Sequence, residues 1–139
     1  MKIHVIREDQ TAIENYQKVV ISPNQIDLSS IADNECKFIL ANDVLDSFSV
    51  ENIPSLLQAL AKKMRLGSKL VIGGTDIRLF CKNVINGMIN EGDAAKVVAN
   101  VQSMLTPNQV EAVIRQLNLD IDTTQISGIH YEITASRGT

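Results

Sequence analysis

The chain has 139 residues, 13 basic against 16 acidic side chains, a net charge of −3 and 45% apolar residues. That is the length of one domain, residues 1–139, with enough apolar content for a real core, which excludes wholesale disorder. The small negative balance argues against a nucleic-acid groove run by bulk electrostatics and against docking on anionic lipid.

Ile3–Ile6 is short, mostly apolar and β-branched, so it predicts a buried strand. The polar stretch that follows contains Thr11–Tyr16, which can make a short helix. Lys18–Ile21 predicts a second strand, stopped by Ser22-Pro23-Asn24. Gln25–Glu35 is a connection with weak helical spacing at Ile26, Leu28 and Ile31. Cys36–Ala41 is a third strand, and it ends in Asn42-Asp43. Its unbroken apolar run belongs to a strand covered on both faces, the habit of parallel sheets.

A helix is expected from about Asn52, buried along Ile53, Leu57, Leu60 and Met64. Asn52 can cap it, Pro54 is tolerated in its first turn, and Gly67 can end it. Lys62, Lys63 and Arg65 suit its C-terminal dipole, so this basic cluster reads as a solvated helix end. Lys69–Ile72 is a fourth strand, closed by Gly73-Gly74-Thr75-Asp76. Ile77, Phe80, Val84 and Met88 mark the next helix face. Asp93 can cap a further helix buried along Ala94, Val97, Val101 and Met104 or Leu105. Thr106-Pro107-Asn108-Gln109 matches a capping box with proline in the first turn, opening a helix buried through Val110, Val113, Ile114 and Leu117. Asp120–Thr124 and Ile129–Ala135 read as two strands joined through Gly128 as an antiparallel hairpin. Alternating strands and helices, then helices and a hairpin, predict an α/β three-layer sandwich with a mostly parallel sheet.

The purest apolar run, Phe38–Ala41, is four residues long, far short of the ~20 that a spanning helix needs. His4 and Arg7 interrupt the start, so it does not read as a signal peptide. Two cysteines, Cys36 and Cys81, lie in no paired motif. Free thiols and the missing leader pattern predict a cytoplasmic protein. His4 and His130 make no metal-ligand spacing with the cysteines, so no metal site is expected. There is no nucleophile elbow and no phosphate-binding loop of the P-loop type. Gly73-Gly74 either approaches a phosphate or is punctuation. Asp43 and Asp76 end successive strands, where open α/β sheets place their ligands; they equally suit turns and helix caps.

From Phe38-Ile39-Leu40-Ala41-Asn42-Asp43-Val44-Leu45-Asp46-Ser47-Phe48 to Met64-Arg65-Leu66-Gly67-Ser68-Lys69-Leu70-Val71-Ile72, the sequence resembles the central stretch of Rossmann-like S-adenosylmethionine-dependent methyltransferases. Asp76 falls where that family often carries an acidic residue on the substrate side. The helix at Thr106 and a last strand over Tyr131–Arg137 follow in the family's order. The resemblance implies a Rossmann-like methyltransferase fold. It also implies cofactor contacts at Ile6, Glu8, Ser22, Asp27, Leu28, Asn42 and Asp43, with Asp76 on the substrate side.

The departures concern the cofactor. The family places a glycine-rich loop after its first strand; here stand Ile6-Arg7-Glu8-Asp9-Gln10. The acidic residue that grips the ribose is replaced by Ser22, and the next strand-and-helix unit is missing. Asp27-Leu28 matches a position that often contacts adenine. Two functional classes follow. One is a methyltransferase-like protein without S-adenosylmethionine, serving as a binding or regulatory partner. The other is a small methyltransferase with an atypical cofactor site. The missing glycines favour the first, in which no cofactor is expected and the partner is a protein or small molecule. The shortened N-terminal half leaves an edge strand or a sheet face short of cover, which suggests a homodimer.

Overall fold

A computed structural model describes residues 1–138. The elements in chain order are β1 (Lys2–Arg7), β2 (Gln17–Ile21), β3 (Cys36–Ala41), a 3-10 turn (Leu45–Ser47), α1 (Ile53–Lys63), β4 (Met64–Thr75), α2 (Ile77–Ile85), α3 (Glu91–Asn100), α4 (Pro107–Gln116), β5 (Asp120–Ser127) and β6 (His130–Ser136). They form one six-stranded sheet in the order β2-β1-β3-β4-β6-β5. The first four strands pair in parallel, and β6 pairs antiparallel with both β4 and β5. The α/β class and the mostly parallel sheet with an antiparallel C-terminal hairpin are therefore as expected. Gly128 makes the hairpin turn at φ +63°.

Period-two alternation sorts the strand residues between two faces. Ile3, Val5, Val19, Ile39, Leu70, Ile72, Ile133 and Ala135 are buried on one face, in one core with Leu57 and Leu60 of α1 and Val110 and Ile114 of α4. The alternate row across the sheet is Lys18, His4, Leu40, Val71 and Thr134, and most of it is only partly covered. Its cover is irregular chain. Tyr16 packs edge-on against His4 and Phe38, and the Lys2 ammonium sits over its ring. The Ile13 N–H donates to His4 Nδ1 at 3.1 Å. Partial burial holds that imidazole below its usual pKa, in keeping with an accepting nitrogen.

These contacts explain why Thr11–Tyr16 is not the short helix that its composition allowed. The segment turns through Asn15 at φ +71° to deliver Tyr16 onto the sheet. Other expectations also change. Asn52 has helical dihedrals and makes no side-chain cap; its amide instead donates to Asn24. Gly67 does not end α1, because the chain turns extended at Met64 and runs straight into β4. Gly67, at φ +77°, lies where the β3–β4 register slips, and its N–H donates to the Arg137 carbonyl. Asn90 rather than Asp93 caps α3. That helix buries only Ala94, while Met88 lies beyond α2 and is exposed. The capping box at Thr106 and Gln109 is present, with Pro107 in the first turn.

Gly73 and Gly74 do not close β4 but lie within it, opposite Glu132 and Tyr131. A Cβ on Gly73 would press into the Tyr131 carbonyl oxygen; one on Gly74 would stand 2.9 Å from Asp46 Oδ1 and 3.2 Å from Leu45 Cβ. Asp46 reaches this point from the 3-10 turn after β3. Its Oδ1 accepts the Thr75 N–H at 2.7 Å and its Oδ2 accepts the Thr75 hydroxyl at 2.6 Å. Burial raises the Asp46 carboxyl above its ordinary pKa, against the two Thr75 hydrogen bonds that lower it.

Two outcomes follow from β4. Gly73→Ala and Gly74→Ala should each cost about 1–3 kcal/mol through overpacking. Gly73→Ala should cost more, because its clash is with backbone, and urea unfolding measures both. For Asp46, a raised native pKa means that its favourable contribution is present below the ordinary carboxylate pKa and is lost as pH rises through the native value. In Asp46→Asn the amide oxygen still accepts the Thr75 N–H, and its NH2 can donate to the hydroxyl. The stability of this variant relative to the parent should therefore improve as pH rises above the ordinary carboxylate pKa and through the raised native one. A difference that stays flat with pH in paired unfolding curves would contradict this.

Candidate functional site

The expected site residues lie at or after strand ends, but the fold sends them to different places. Ile6, the penultimate residue of β1, is buried. The turn after it is built without glycine. The Arg7 N–H donates to Gln10 Oε1 at 2.8 Å, the Gln10 N–H returns to the Arg7 carbonyl at 3.1 Å, and Arg7 Nε stands 3.5 Å from Asp9 Oδ1. Glu8 is exposed on this turn.

Residues after β2 reach across to those after β3. Asn24, at φ +59°, donates its N–H to the Ser47 carbonyl at 2.8 Å. Its side-chain oxygen accepts the Ser49 N–H at 2.6 Å and the Asn52 amide at 3.1 Å. Since β1 lies between β2 and β3, these three bonds join the two flanking segments across the β1 position. The same loop forms one wall of a cleft of about 550 Å³ whose other wall is α1. Ser22 and Asp27 line it together with Asn24, Gln25, Phe48 and Asn52. The Ser22 hydroxyl bonds Gln25 Oε1 at 3.1 Å, and Asp27 Oδ1 accepts the Ser29 N–H at 2.9 Å. Hydrogen bonding by Ser29 holds the Asp27 carboxyl below its ordinary pKa. Leu28 is buried and belongs to the core.

Asn42 and Asp43 line a second, smaller hollow of about 240 Å³, with His130, Tyr131, Glu132 and Gln125. Asp43 adopts φ +59°, and its Oδ1 stands 3.6 Å from His130 Nδ1. Tyr131 is buried, and burial together with Asp46 and Asp76 pushes its hydroxyl far above the ordinary tyrosine pKa, so it remains protonated. Asp76 is buried as the N-cap of α2, accepting the N–H groups of Arg78 and Leu79. Of its two readings, the helix cap is the one this geometry satisfies. Asp46 spends both oxygens on Thr75. That leaves Asp43–His130 as the accessible titratable pair here, suited to gripping a polar or cationic group.

The expected residues thus divide into Ser22 and Asp27 in one cleft and Asn42 and Asp43 in another hollow. Ile6 and Leu28 are core, Glu8 lies on an exposed turn, and Asp76 is a cap. Among the described residues, no group of three or more His, Cys, Asp or Glu is placed to hold a metal ion. Sequence reasoning missed the Asn24 and Asn52 link, whose only local signal is the Ser22-Pro23-Asn24 turn. It also missed His130, whose place is set by its register opposite Thr75.

No protein-family model matches the sequence, and no curated protein matches it. Solved structures do. An S-adenosylmethionine-dependent methyltransferase from Archaeoglobus fulgidus aligns with a TM-score of 0.63 and 12% identity, over 98% of this chain and 86% of that one. An O-methyltransferase family protein from Burkholderia thailandensis aligns at 0.62 and 14% identity, over 88% of this chain but only 36% of that one. The complex of the Haloferax volcanii Trm112 methyltransferase activator with a putative methyltransferase supplies a match at 0.62 and 8% identity, over 93% and 65%. This chain therefore carries the fold of the Rossmann-like S-adenosylmethionine-dependent methyltransferases, in a form that spans about a third of the Burkholderia chain.

Proposed function

We propose that this chain keeps the methyltransferase scaffold, does not hold S-adenosylmethionine in the family's usual pose, and works in the cytoplasm as a binding or regulatory partner. The observation that carries this reading is the end of β1. A cofactor approached there by bare backbone needs glycine. The turn instead carries Arg7, Glu8 and Asp9, fixed by the Gln10 side chain. Asp9 stands beside the Arg7 guanidinium, but Glu8 leaves the turn with a net negative charge, which disfavours the ligand's own carboxylate.

Two further features support it. The Asn24 bonds tie the flanking loops together across β1, leaving less freedom to open around a ligand. Ser22, in the place of a ribose-gripping carboxylate, offers one hydroxyl that is already paired with Gln25. Losing a bidentate acceptor costs on the order of 1–3 kcal/mol. Two losses of that size weaken a micromolar site about a thousandfold if they add.

The alternative reading, a small methyltransferase with an atypical site, draws on the cleft that holds Ser22 and Asp27, which is large enough for a nucleoside-sized ligand. Calorimetric titration separates the two. The expected result is no saturable binding of S-adenosylmethionine or S-adenosylhomocysteine at low micromolar concentration. Saturable binding there, abolished by Asp27→Ala, would restore the enzyme.

A further inference from the structure

Nine residues, Glu8–Tyr16, carry the chain from β1 to β2. A parallel crossover usually takes about a dozen residues or more and covers the sheet with a helix. Here the first of them close the Arg7–Gln10 turn, and Thr11–Tyr16 returns over the sheet face as an irregular strap.

The strap has few holds. Between Thr11 and Asn15 it makes, among the described residues, one hydrogen bond to the strands, from the Ile13 N–H to His4 Nδ1. At its far end the Tyr16 ring stands edge-on to His4 and to Phe38, with centroids 6.3 and 6.2 Å apart. Beneath it lie Phe38 and Leu40 of β3, both only partly buried. His4 therefore serves both holds, as acceptor for Ile13 and as packing partner for Tyr16.

A neutral imidazole has one N–H and one bare nitrogen. Nδ1 accepts from Ile13, so the ring proton sits on Nε2. A proton added to Nδ1 removes the acceptor and sets a second N–H against that of Ile13. The bond is lost and two donors oppose each other. The groups around the ring offer the added charge no partner. On β1, Lys2 precedes it by two positions on the same face, with its ammonium over the Tyr16 ring. On β2, its register partner is Lys18, and on β3 it is Leu40. The acid of the strap, Glu14, is exposed and among the described residues makes no ion pair. Partial burial acts in the same direction, holding the ring neutral below the usual histidine range.

We propose that His4 is the latch of an acid-sensitive strap, in which Thr11–Tyr16 lies closed over the β1–β3 face while the imidazole is neutral and lifts when Nδ1 is protonated. Lifting uncovers Phe38 and Leu40. The device holds whether or not the chain binds S-adenosylmethionine, since it uses neither the cleft along α1 nor the Asp43–His130 hollow. The sign follows from linkage. The open strap takes up the proton more readily, so closure is complete above the ordinary histidine pKa and weakens as pH falls below it, by up to roughly tenfold per pH unit until the native value is passed.

Amide hydrogen exchange by NMR, followed from about pH 7.5 to about pH 5, tests it. The Ile13 protection factor should fall, with the Tyr16 ring resonances shifting alongside, in step with the titration of His4 read from its own ring protons. The Gln10 amide, bonded to the Arg7 carbonyl, should keep its protection, which separates strap opening from unfolding. His4→Asn places a carbonyl oxygen near Nδ1 that does not titrate, and should keep Ile13 protected throughout. His4→Phe keeps an aromatic ring without an acceptor, and should leave Ile13 unprotected at both ends of the range. Glu14→Gln and His130→Gln should leave the transition in place. Ile13 protection that persists once the His4 ring is protonated overturns the proposal. So does an acid loss that is unchanged in His4→Asn, or one that vanishes in Glu14→Gln or His130→Gln.

Discussion

The junction at β4 governs the rest of the molecule. Twelve residues long, this strand takes β3 in parallel along one edge and β6 antiparallel along the other. Both halves of the sheet are registered against it. Its C-terminal third can sit this deep because Gly73 and Gly74 carry no side chains. The space is taken by the Tyr131 backbone, the Asp46 carboxylate and Leu45. Thr75 then spends its N–H and its hydroxyl on Asp46, fixing the turn after β3 to the end of β4. Glycines that would otherwise suggest a ligand loop here serve tight packing, and the strand end is committed to structure rather than held open.

That commitment extends to the other strand ends. After β1, β2, β3 and β4, several polar groups that could greet a ligand are already paired within the chain: Arg7 with Gln10, Asn24 with Ser47 and Ser49, Asp46 with Thr75, Asp76 with α2. Each pairing stabilises a local turn and removes a donor or acceptor from the edge of the sheet. What remains accessible is Asp43 beside His130, and the cleft along α1.

Much of this fold was legible from the sequence, for local reasons. The strands β1, β2, β3 and β4 announce themselves as apolar runs, α1 by its spacing, α4 by its capping box and the hairpin by Gly128. Where reading failed, the deciding contact was distant in sequence. Tyr16 is pulled from a helix by Phe38 on β3. Asn52 gives its amide to Asn24 rather than to its own helix. Gly67 answers to Arg137, seventy positions on. The candidate site shows the same division. That Ser22, Asp27, Asn42 and Asp43 follow strand ends is visible in the sequence. That they line two separate hollows depends on the loop between β2 and β3 crossing β1, which spacing does not encode.

The strand order also bears on how the chain is assembled as it is made. β6 is the last of the six strands to leave the ribosome, yet it lies between β4 and β5. Until it emerges, the apolar flank of β4 has no neighbour and β5 has no partner at all. Tyr131, Ile133 and Ala135 of β6 also complete the core under α4. The N-terminal parallel strands can pair during synthesis, but the domain cannot close around a vacant central slot. Folding of this chain is therefore finished only once β6 is free, and until then the nascent polypeptide presents an open β4 edge that holding chaperones are suited to shield.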